Sequence, residues 1–434
     1  MKSVFFVILI IFFSTTLQAQ VLIIASLQDA CDYALKHNPD QKSYILNVEK
    51  AKTDFRTSES YLLPSVVGTF NGQINTSLAT TALPGEIFGK PGKTIDAQLG
   101  QKYNYTAGLT ATKNLFDWQS FVQMRIAKNN FVTTQLQTEA YNQSLKQQVA
   151  QYYFAAIISQ EALKAYQQDL AVADSTVLLT NQKLQQGLIN VLTANQSVIN
   201  RNNIQQQIVT TEILSEQCNI SLKLLLGIDA NAQLQIKSID IENKDQIPST
   251  QNIGFDKNLS VLENQMKATA LKVNLQKSAF APKISLNAYL GNQQYRNDFG
   301  MSFTDGAWHP VSYIGLNIQL PLFTGFANFN KLQSSKIDYQ KIQNDWNESK
   351  RKSTYNDELL IFEFKQSQVL IKSSADNYQL FAQNRKLAAQ QMKEGIISID
   401  TYFKFFDDYL KSENVYLNAL SQMFTYYATI FSRQ

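Results

Sequence analysis

The chain has 434 residues, a formal net charge of +4, two histidines and two cysteines. A charge this close to neutral gives no electrostatic footprint for nucleic acid. Two cysteines are too few for a disulfide framework, so we expect Cys31 and Cys218 to be buried free thiols. His37 and His309 have no cysteine or carboxylate at metal-ligand spacing, and the sequence contains no phosphate loop or nucleophile motif. We therefore expect no catalytic activity and no bound metal.

The N-terminus predicts a secretory signal peptide. Lys2 precedes an apolar run from Val4 to Phe13, and Leu17-Gln18-Ala19 fits a cleavage site, which gives a signal over residues 1–19. Ala25 is a second candidate for the cleavage position. The chain is therefore expected to be exported. No later stretch approaches the roughly 20 consecutive apolar residues of a spanning helix, so any membrane crossing has to use β-strands.

Residues 20–227 predict a helix, a pair of strands and a long helical hairpin, in that order. The long helix has no proline and ends at Gly187, because glycine adopts the left-handed conformation at the lowest cost. Asn190 then fits the N-cap of a returning helix. The predicted elements are a helix over 26–61 broken at Asn38-Pro39, strands beginning at Val66 and Tyr103 around an exposed loop over 76–102, a long helix over 117–186, and a return helix ending near Leu226.

Residues 255–434 repeat this plan after a linker over 228–254 that has no clear periodicity. Leu115-Phe116 matches Leu322-Phe323, and Gly187 matches Gly395, after which Ser398 fits the cap of the second return helix. Such a duplication is far longer than the roughly 20 to 50 residues of a solenoid unit. The predicted elements are a helix over 258–280, strands beginning at Ile284 and Ile314 around a loop over 294–310, a long helix over 326–394, and a return helix ending near Phe431.

Both long helices carry an apolar stripe with alternating spacings of three and four residues. This spacing is typical of helices that supercoil on partners. The first stripe is Leu145, Val149, Tyr152, Ala156, Leu163, Tyr166, Leu170, Ala173, Val177 and Leu184. The second is Leu360, Phe364, Ile371, Tyr378, Phe381, Ala388 and Met392, and it is broken at Ser367, Ser374 and Arg385.

The four predicted strands alternate between apolar and uncharged polar residues. Each is about as long as a tilted membrane-spanning strand, and the polar faces suit a water-filled lumen. A soluble sandwich shows the same alternation, but it needs about seven strands at short spacing. Four strands cannot close a barrel, and an open edge is not tolerated in lipid, so several subunits have to pool their strands. The apolar faces are Val66, Phe70 and Ile74; Tyr103, Tyr105, Ala107, Leu109 and Ala111; Ile284, Leu286, Ala288 and Leu290; and Ile314, Leu316, Ile318 and Leu320.

The mature sequence resembles the TolC-like outer-membrane efflux protein family over nearly its whole length. The resemblance is carried by the order and duplication of several short features rather than by one motif. These are Ser26-Leu27-Gln28-Asp29-Ala30 leading to Asn38-Pro39, Leu63-Pro64-Ser65 at the first strand, Leu320-Pro321-Leu322-Phe323 after the last strand, and the paired glycine hairpins.

The resemblance implies a mainly α-helical homotrimer. Long coiled helical hairpins would form a tunnel in the periplasm, and four transmembrane strands per subunit would be pooled into one trimeric barrel in the bacterial outer membrane. Such a protein is a passive channel of a tripartite efflux or type I secretion system. Its partners would be outer-membrane lipid, a periplasmic adaptor (membrane fusion) protein and an inner-membrane pump or exporter, with no nucleic acid and no cofactor.

The resemblance also suggests two functional regions at the helical hairpins. In this family the periplasmic end of the tunnel is narrowed near the hairpin glycines and often carries acidic residues. We therefore predict that Asp400, with Asp407 or Asp408, forms a periplasmic gate that favours cations, because like charges brought together raise their pKa values. The hairpin tips at Gly187, Asn190, Gly395 and Ser398 would contact the adaptor.

A soluble periplasmic coiled-coil adaptor or structural protein is the alternative function. An adaptor of that kind has one helical hairpin with a lipoyl-like β domain, whereas this chain predicts two hairpins and uncharged amphipathic strands. Drugs, metals, bile salts and secreted polypeptides are all cargo of similar conduits, and the sequence does not discriminate among them.

Overall fold

The structure is a computed structural model that describes residues 22–237 and 253–434. The predicted signal at 1–19 and most of the predicted linker lie outside the described residues. The helices are α1 (Leu27–His37), α2 (Pro39–Glu59), α3 (Trp118–Gln185), α4 (Val191–Leu226), α5 (Lys257–Ser278), α6 (Ala327–Lys393) and α7 (Ile399–Ser432). The strands are β1 (Leu22–Ile24), β2 (Ser65–Ile74), β3 (Thr80–Pro84), β4 (Thr94–Gln98), β5 (Tyr103–Asp117), β6 (Leu234–Ile236), β7 (Lys283–Arg296) and β8 (His309–Gln319).

The order of these elements follows the predicted duplication. The long helices α3 and α6 have 68 and 67 residues, and the return helices α4 and α7 have 36 and 34. The helix bounds agree with the predicted ones to within a few residues. The repeat boundaries at 227 and 255 stay a prediction, because the two compact units of the chain each take segments from both repeats.

The region predicted as an exposed loop over 76–102 contains a small antiparallel hairpin. Strands β3 and β4 pair from Thr80 with Gln98 to Pro84 with Thr94. The turn between them is closed by the Gly85 amide, which donates to the Lys93 carbonyl at 2.6 Å, and Gly89 is left-handed with φ 70°. Each strand has five residues, which is too short for an alternating pattern to stand out from a polar loop.

One unit comprises Asn47–Gln135 and Val261–Asn347, and we call it the strand unit. Its centre is a four-stranded antiparallel sheet in the order β2-β5-β7-β8. The β5–β7 pairing joins the strand pair of the first repeat to that of the second, from Tyr103 opposite Arg296 to Asp117 opposite Lys283. Strands β2 and β8 form the two edges of this sheet.

The register places the predicted apolar residues of all four strands on one face. Val66 lies opposite Ala111, Leu109 opposite Leu290, and Leu286 opposite Leu316. Residues directly opposite one another in a ladder share a face. This apolar face is open: Leu290 is 68 % exposed, Leu316 59 % and Ile314 78 %.

The opposite face of the sheet is uncharged and polar over its central part. Thr110 lies opposite Tyr289, which in turn lies opposite Tyr313, and the two tyrosine rings stack at 5.6 Å. Thr106 lies opposite Gln293, and Asn287 opposite Gly315. The alternation in the sequence therefore resolves into one apolar and one polar surface.

The other unit comprises the described residues up to Leu46, Leu136–Ser260 and Glu348–Gln434, and we call it the helical unit. Leu145, Val149, Ala156, Tyr166 and Ala173 of the predicted stripe are buried in it. The placement of Tyr152 in the stripe is wrong, because Tyr152 is exposed and Tyr153 is fully buried. Around this position the helix is buried over a wider face, which also takes in Val149, Ala150, Phe154, Ile157 and Ile158.

Polar residues occupy core positions of both long helices. In α3 the buried positions Ala162, Tyr166, Asp169, Ala173, Thr176 and Thr180 continue the spacings of four and three residues. In α6 the apparent breaks at Ser367 and Ser374 are buried, and each hydroxyl donates to the carbonyl three residues earlier. The heptad pattern is therefore more continuous in the structure than in the apolar residues alone. No helix within 22–237 and 253–434 is both long and apolar enough to cross a membrane.

The predicted break at Asn38-Pro39 is held by contacts to other helices. The Asn38 side-chain Nδ2 donates to the Leu225 carbonyl at 2.9 Å, and the Tyr141 hydroxyl donates to Asn38 Oδ1 at 2.9 Å. Gly227 ends α4 with φ 67°, and a Cβ there would lie 2.4 Å from the His37 carbonyl oxygen. Cys31 and Cys218 are buried and free, as predicted, and burial raises the pKa of the Cys31 thiol to about 12.

Candidate functional site

The two hairpin tips have the same backbone geometry. Gly187 has φ 72° and Gly395 has φ 77°, in the left-handed region. After the first glycine, the Leu188 amide donates to the Lys183 carbonyl at 2.9 Å, and after the second, the Ile396 amide donates to the Gln391 carbonyl at 2.9 Å. These six-to-one bonds are the Schellman arrangement, which satisfies the last carbonyls of a helix. No atom lies within 4 Å of a Cβ built at either glycine, so backbone conformation rather than crowding favours glycine there.

The return helices begin with the predicted caps. The Asn190 side chain accepts from the Thr193 amide at 2.9 Å, and the Ser398 hydroxyl accepts from the Thr401 amide at 3.1 Å. Each cap satisfies one of the unpaired amides at a helix start. The capping predictions for Asn190 and Ser398 are confirmed, whereas their contact with an adaptor stays a prediction.

A hydrogen bond joins the first tip to the second. The Thr193 hydroxyl, which is buried, donates to Asp400 Oδ1 at 3.0 Å. Asp400 itself is exposed. The acid that was predicted to contribute to a gate is therefore anchored, within its own chain, to the start of the other return helix.

The other two predicted gate residues lie farther along α7. Asp407 is exposed and accepts from the Lys411 ammonium at 2.5 Å, one helical turn away. This hydrogen bond and the Asp407 charge raise the pKa of Lys411. Asp408 is half-buried. Within one chain, Lys411 thus offsets part of the negative charge that the sequence predicted at this level of the helix.

The tips also carry exposed apolar side chains that the pattern analysis did not single out. Leu188, Val191, Leu192 and Ile396 are all exposed, with Leu192 at 78 %. An apolar patch of this kind marks a contact surface when it is contiguous. The sequence does show two aliphatic residues after each of these glycines. Because helix termination already explained the glycines, no contact role was predicted for the aliphatic residues. Within 22–237 and 253–434, no group of acidic, histidine or cysteine residues could hold a metal ion.

Comparison with known proteins places this architecture among outer-membrane efflux proteins. The sequence profile of the family described as outer membrane efflux protein matches residues 30–228. The chain is 24 % identical to the toluene efflux pump outer membrane protein TtgC of Pseudomonas putida over 339 residues, which is 76 % of this chain and 65 % of TtgC. It therefore spans just under two thirds of that relative's length.

Two further proteins show the same likeness. The cation efflux system protein CusC of Escherichia coli is 24 % identical over 73 % of this chain and 67 % of CusC. The CmeC outer membrane channel of Campylobacter jejuni superposes with a TM-score of 0.74 and 19 % identity, covering 94 % of this chain and 85 % of CmeC. At that identity the structural likeness establishes the fold, including the mixture of long helical hairpins and strands.

Proposed function

Because this chain belongs to the TolC-like outer-membrane efflux protein family, we propose that it is an outer-membrane channel. It acts as a passive conduit from the periplasm to the outside, in a tripartite efflux or type I secretion system. The related TtgC and CusC are named as components of efflux systems. Such a conduit has a transport role rather than a catalytic one.

The observation that carries this proposal is the sheet with one open apolar face and two edge strands. Leaving apolar surface in water costs about 25 cal/mol per Å². An exposed edge in water also templates aggregation, and an edge in lipid leaves backbone groups unpaired. Outer-membrane lipid covering the apolar face, and neighbouring copies pairing with β2 and β8, remove both penalties. The uncharged polar face then lines the lumen.

The number of strands requires several copies, and the family resemblance makes that assembly a homotrimer. Each chain contributes four strands to its sheet, and the smallest bacterial barrels have about eight. Three copies supply twelve strands, with β8 of one copy antiparallel to β2 of the next. This contact joins two different edges, so every edge is paired only when the ring of copies closes, and a monomer is an incomplete channel.

The helical unit provides the periplasmic part in this proposal. Its heptad cores support supercoiled hairpins, and the exposed tips, with Gly187, Asn190, Gly395 and Ser398 setting their geometry, contact a periplasmic adaptor. Leu192 and Ile396 supply apolar contact area there. An inner-membrane pump or exporter supplies the energy in this proposal.

A detergent-solubilised preparation of the full chain tests the proposed function. We expect recovery in the outer-membrane fraction, a mass of three chains after correction for detergent, and discrete conductance steps in a planar bilayer. Leu316→Lys on the apolar face should reduce the amount of inserted protein, whereas Asn317→Lys on the polar face of the same strand should insert like the wild type and change ion selectivity. Recovery from the soluble periplasm without detergent, or a stable monomer without conductance, contradicts the proposal.

Asp400, Asp407 and Asp408 form the periplasmic gate in this proposal. Three copies bring these acids together around the axis, and the ring favours cations. Asp400→Asn, Asp407→Asn and Asp408→Asn together should reduce cation blockade and shift selectivity toward anions. A triple variant of equal charge change, with Asp345→Asn, Glu358→Gln and Asp376→Asn on α6, serves as the control. Identical conductance and blockade in the two triple variants would exclude the gate.

A further inference from the structure

Three helices of the helical unit bury a group of ionisable side chains. Asp169 lies on α3, Arg385 on α6 and Glu413 on α7. Asp169 and Glu413 are each 2 % exposed in the single chain, and any additional subunit can only lower that exposure. A buried charge is tolerated when it is paired and hydrogen-bonded, so the contacts of each group decide its protonation.

One oxygen of each carboxyl group has a partner. The Arg385 guanidinium donates to Asp169 Oδ1 at 2.9 Å and lies over the Tyr409 ring at 4.2 Å. The Tyr378 hydroxyl donates to Glu413 Oε1 at 3.1 Å, and the Tyr409 hydroxyl lies 3.4 Å from the same oxygen. The carboxyl group of Asp169 is therefore paired with a cation, whereas the carboxyl group of Glu413 accepts hydrogen bonds from neutral hydroxyl groups.

The second oxygens, Asp169 Oδ2 and Glu413 Oε2, are buried and have no hydrogen-bond partner in the described part of the chain. The two carboxyl groups belong to one cluster, because Arg385 pairs with Asp169 and lies over the ring of Tyr409, whose hydroxyl lies 3.4 Å from Glu413 Oε1. Two ionised carboxylates are both acceptors and repel, so neither can satisfy the other. One added proton makes one of them a donor and satisfies both oxygens at once.

We propose that Asp169 and Glu413 form a proton-binding site, in which one proton lies between Asp169 Oδ2 and Glu413 Oε2 and joins the first helical hairpin to the second. The proton is carried by Glu413, because Arg385 keeps Asp169 ionised. The cluster of Asp169, Arg385 and protonated Glu413 is then neutral overall. The site is independent of transport and goes beyond the proposed channel function.

The electrostatic surroundings favour this protonation. Burial, and then the Asp169 charge, raise the pKa of Glu413 to about 8. Burial also raises the pKa of Asp169, but the Arg385 charge opposes that rise. The tyrosines remain protonated donors, since burial raises the pKa of Tyr166 and Tyr378 to about 12 and raises that of Tyr402 and Tyr409 as well. These residues are the ionisable groups that act on the site from α3, α6 and α7.

The pH dependence follows from the sign of the Glu413 shift. The unfolded chain releases the proton near the ordinary glutamate pKa of about 4.3, whereas the folded chain retains it at higher pH. Between these values the folded state binds more protons, so its stability decreases as pH rises and levels off above the folded pKa. The contact between hairpins is thus strongest in mildly acidic solution.

Infrared spectroscopy of the full chain in detergent detects the proton directly. At pH 6 in D2O, wild-type protein should show carbonyl absorption of a protonated carboxyl group, which is lost on raising the pH to 9. Glu413→Gln should remove that band at every pH. Glu358→Gln, which replaces an exposed glutamate of α6, should leave it unchanged. Absence of the band from wild-type protein at pH 6 overturns the proposal, even if the Glu413 variant fails to fold.

Unfolding measurements provide a second readout. The amide introduced by Glu413→Gln can donate to Asp169 without an added proton, so this variant keeps the contact and loses its pH dependence. The ratio of the wild-type unfolding equilibrium constant to that of Glu413→Gln should rise about tenfold for each pH unit between pH 5 and 7. The same ratio measured against Glu358→Gln should stay constant. A flat ratio for Glu413→Gln contradicts the proposal and leaves the channel function unaffected.

Discussion

The sheet of the strand unit and the core of the helical unit expose and bury opposite kinds of side chain. Leu290, Ile314 and Leu316 are open on the sheet, whereas Asp169 and Glu413 are enclosed among helices. In a protein surrounded by water on all sides, both arrangements are unfavourable. The contrast shows that the sheet leaves apolar surface to be covered by something outside the single chain, whereas the helical unit encloses polar groups that its own side chains pair.

The reasons for the two arrangements differ. Much of the apolar face of the sheet is uncovered in a single chain, as Leu290, Ile314 and Leu316 show, so its stability depends on what covers it. The buried acids have contacts within the chain, because Arg385, Tyr378 and Tyr409 satisfy one oxygen of each. The stability of the sheet therefore depends on what surrounds it, whereas the stability of the helical core depends on individual side chains such as Arg385.

The strongest destabilisation is expected from breaking the buried ion pair. Arg385→Met keeps an unbranched apolar stem but removes the guanidinium group and leaves Asp169 without its cation. Removing one partner of a buried pair costs about 3–5 kcal/mol. Thermal and urea unfolding of the detergent-solubilised protein, followed by circular dichroism, measures the loss.

Arg351→Met is the matched control, because Arg351 pairs with Glu348 on an exposed helix face. Exposed pairs of this kind contribute little, so this variant should unfold like the wild type. Combining Arg385→Met with Asp169→Leu should recover most of the lost stability, since no buried charge remains unpaired. An equally small effect in Arg385→Met and Arg351→Met would show that the buried pair is unimportant for stability.

The second substitution tests the surroundings of the sheet. Leu316→Lys introduces a charge on the open apolar face, and it should cost about 2–4 kcal/mol if that position lies near the middle of a bilayer. Asn317→Lys, on the other face of the same strand, should cost far less. Unfolding in lipid vesicles gives both values. If Leu316→Lys were neutral or increased solubility in water, the face would not be in contact with lipid.

The smallest of the three expected losses of stability comes from removing the N-cap of α7 at the second hairpin tip. Ser398→Ala removes the hydroxyl that accepts from the Thr401 amide at 3.1 Å, and loss of such a cap costs about 1 kcal/mol. Ser373→Ala on the exposed face of α6 is the control, because that hydroxyl donates within its own helix. Hydrogen exchange of the first amides of α7 should increase in Ser398→Ala alone. Equal exchange in both variants would mean that water replaces the cap without cost.

Much of the fold was predictable because it depends on local and periodic signals. Period-two alternation located the four long strands, and Gly187, Gly395, Asn190 and Ser398 located the ends and starts of helices. Features without such a signal were missed. The β3–β4 hairpin is too short for periodicity, and Tyr153 is buried because α3 is surrounded on more than one side near that residue.

The buried acids were missed for a different reason. Asp169 and Glu413 lie in helices where charged residues are normally solvated, and single-residue hydrophobicity places them outside the core. Asp169 lies three residues after Tyr166 and four before Ala173, but Leu170 fits the same spacing and was placed in the predicted stripe because it is apolar. The required partner, Arg385, is distant in sequence and is one of the apparent breaks in the second stripe.

Local signals in the chain were enough for the secondary structure, the duplication and the two-faced character of the strands. These follow from side-chain period and from the backbone preferences of glycine, asparagine and serine. Folding alone settled the strand order, the hydrogen bond from Thr193 to Asp400 and the ion pair of Asp169 with Arg385. Those contacts join residues far apart along the chain, and their energies depend on burial and on neighbouring charge, which exist only in the folded arrangement.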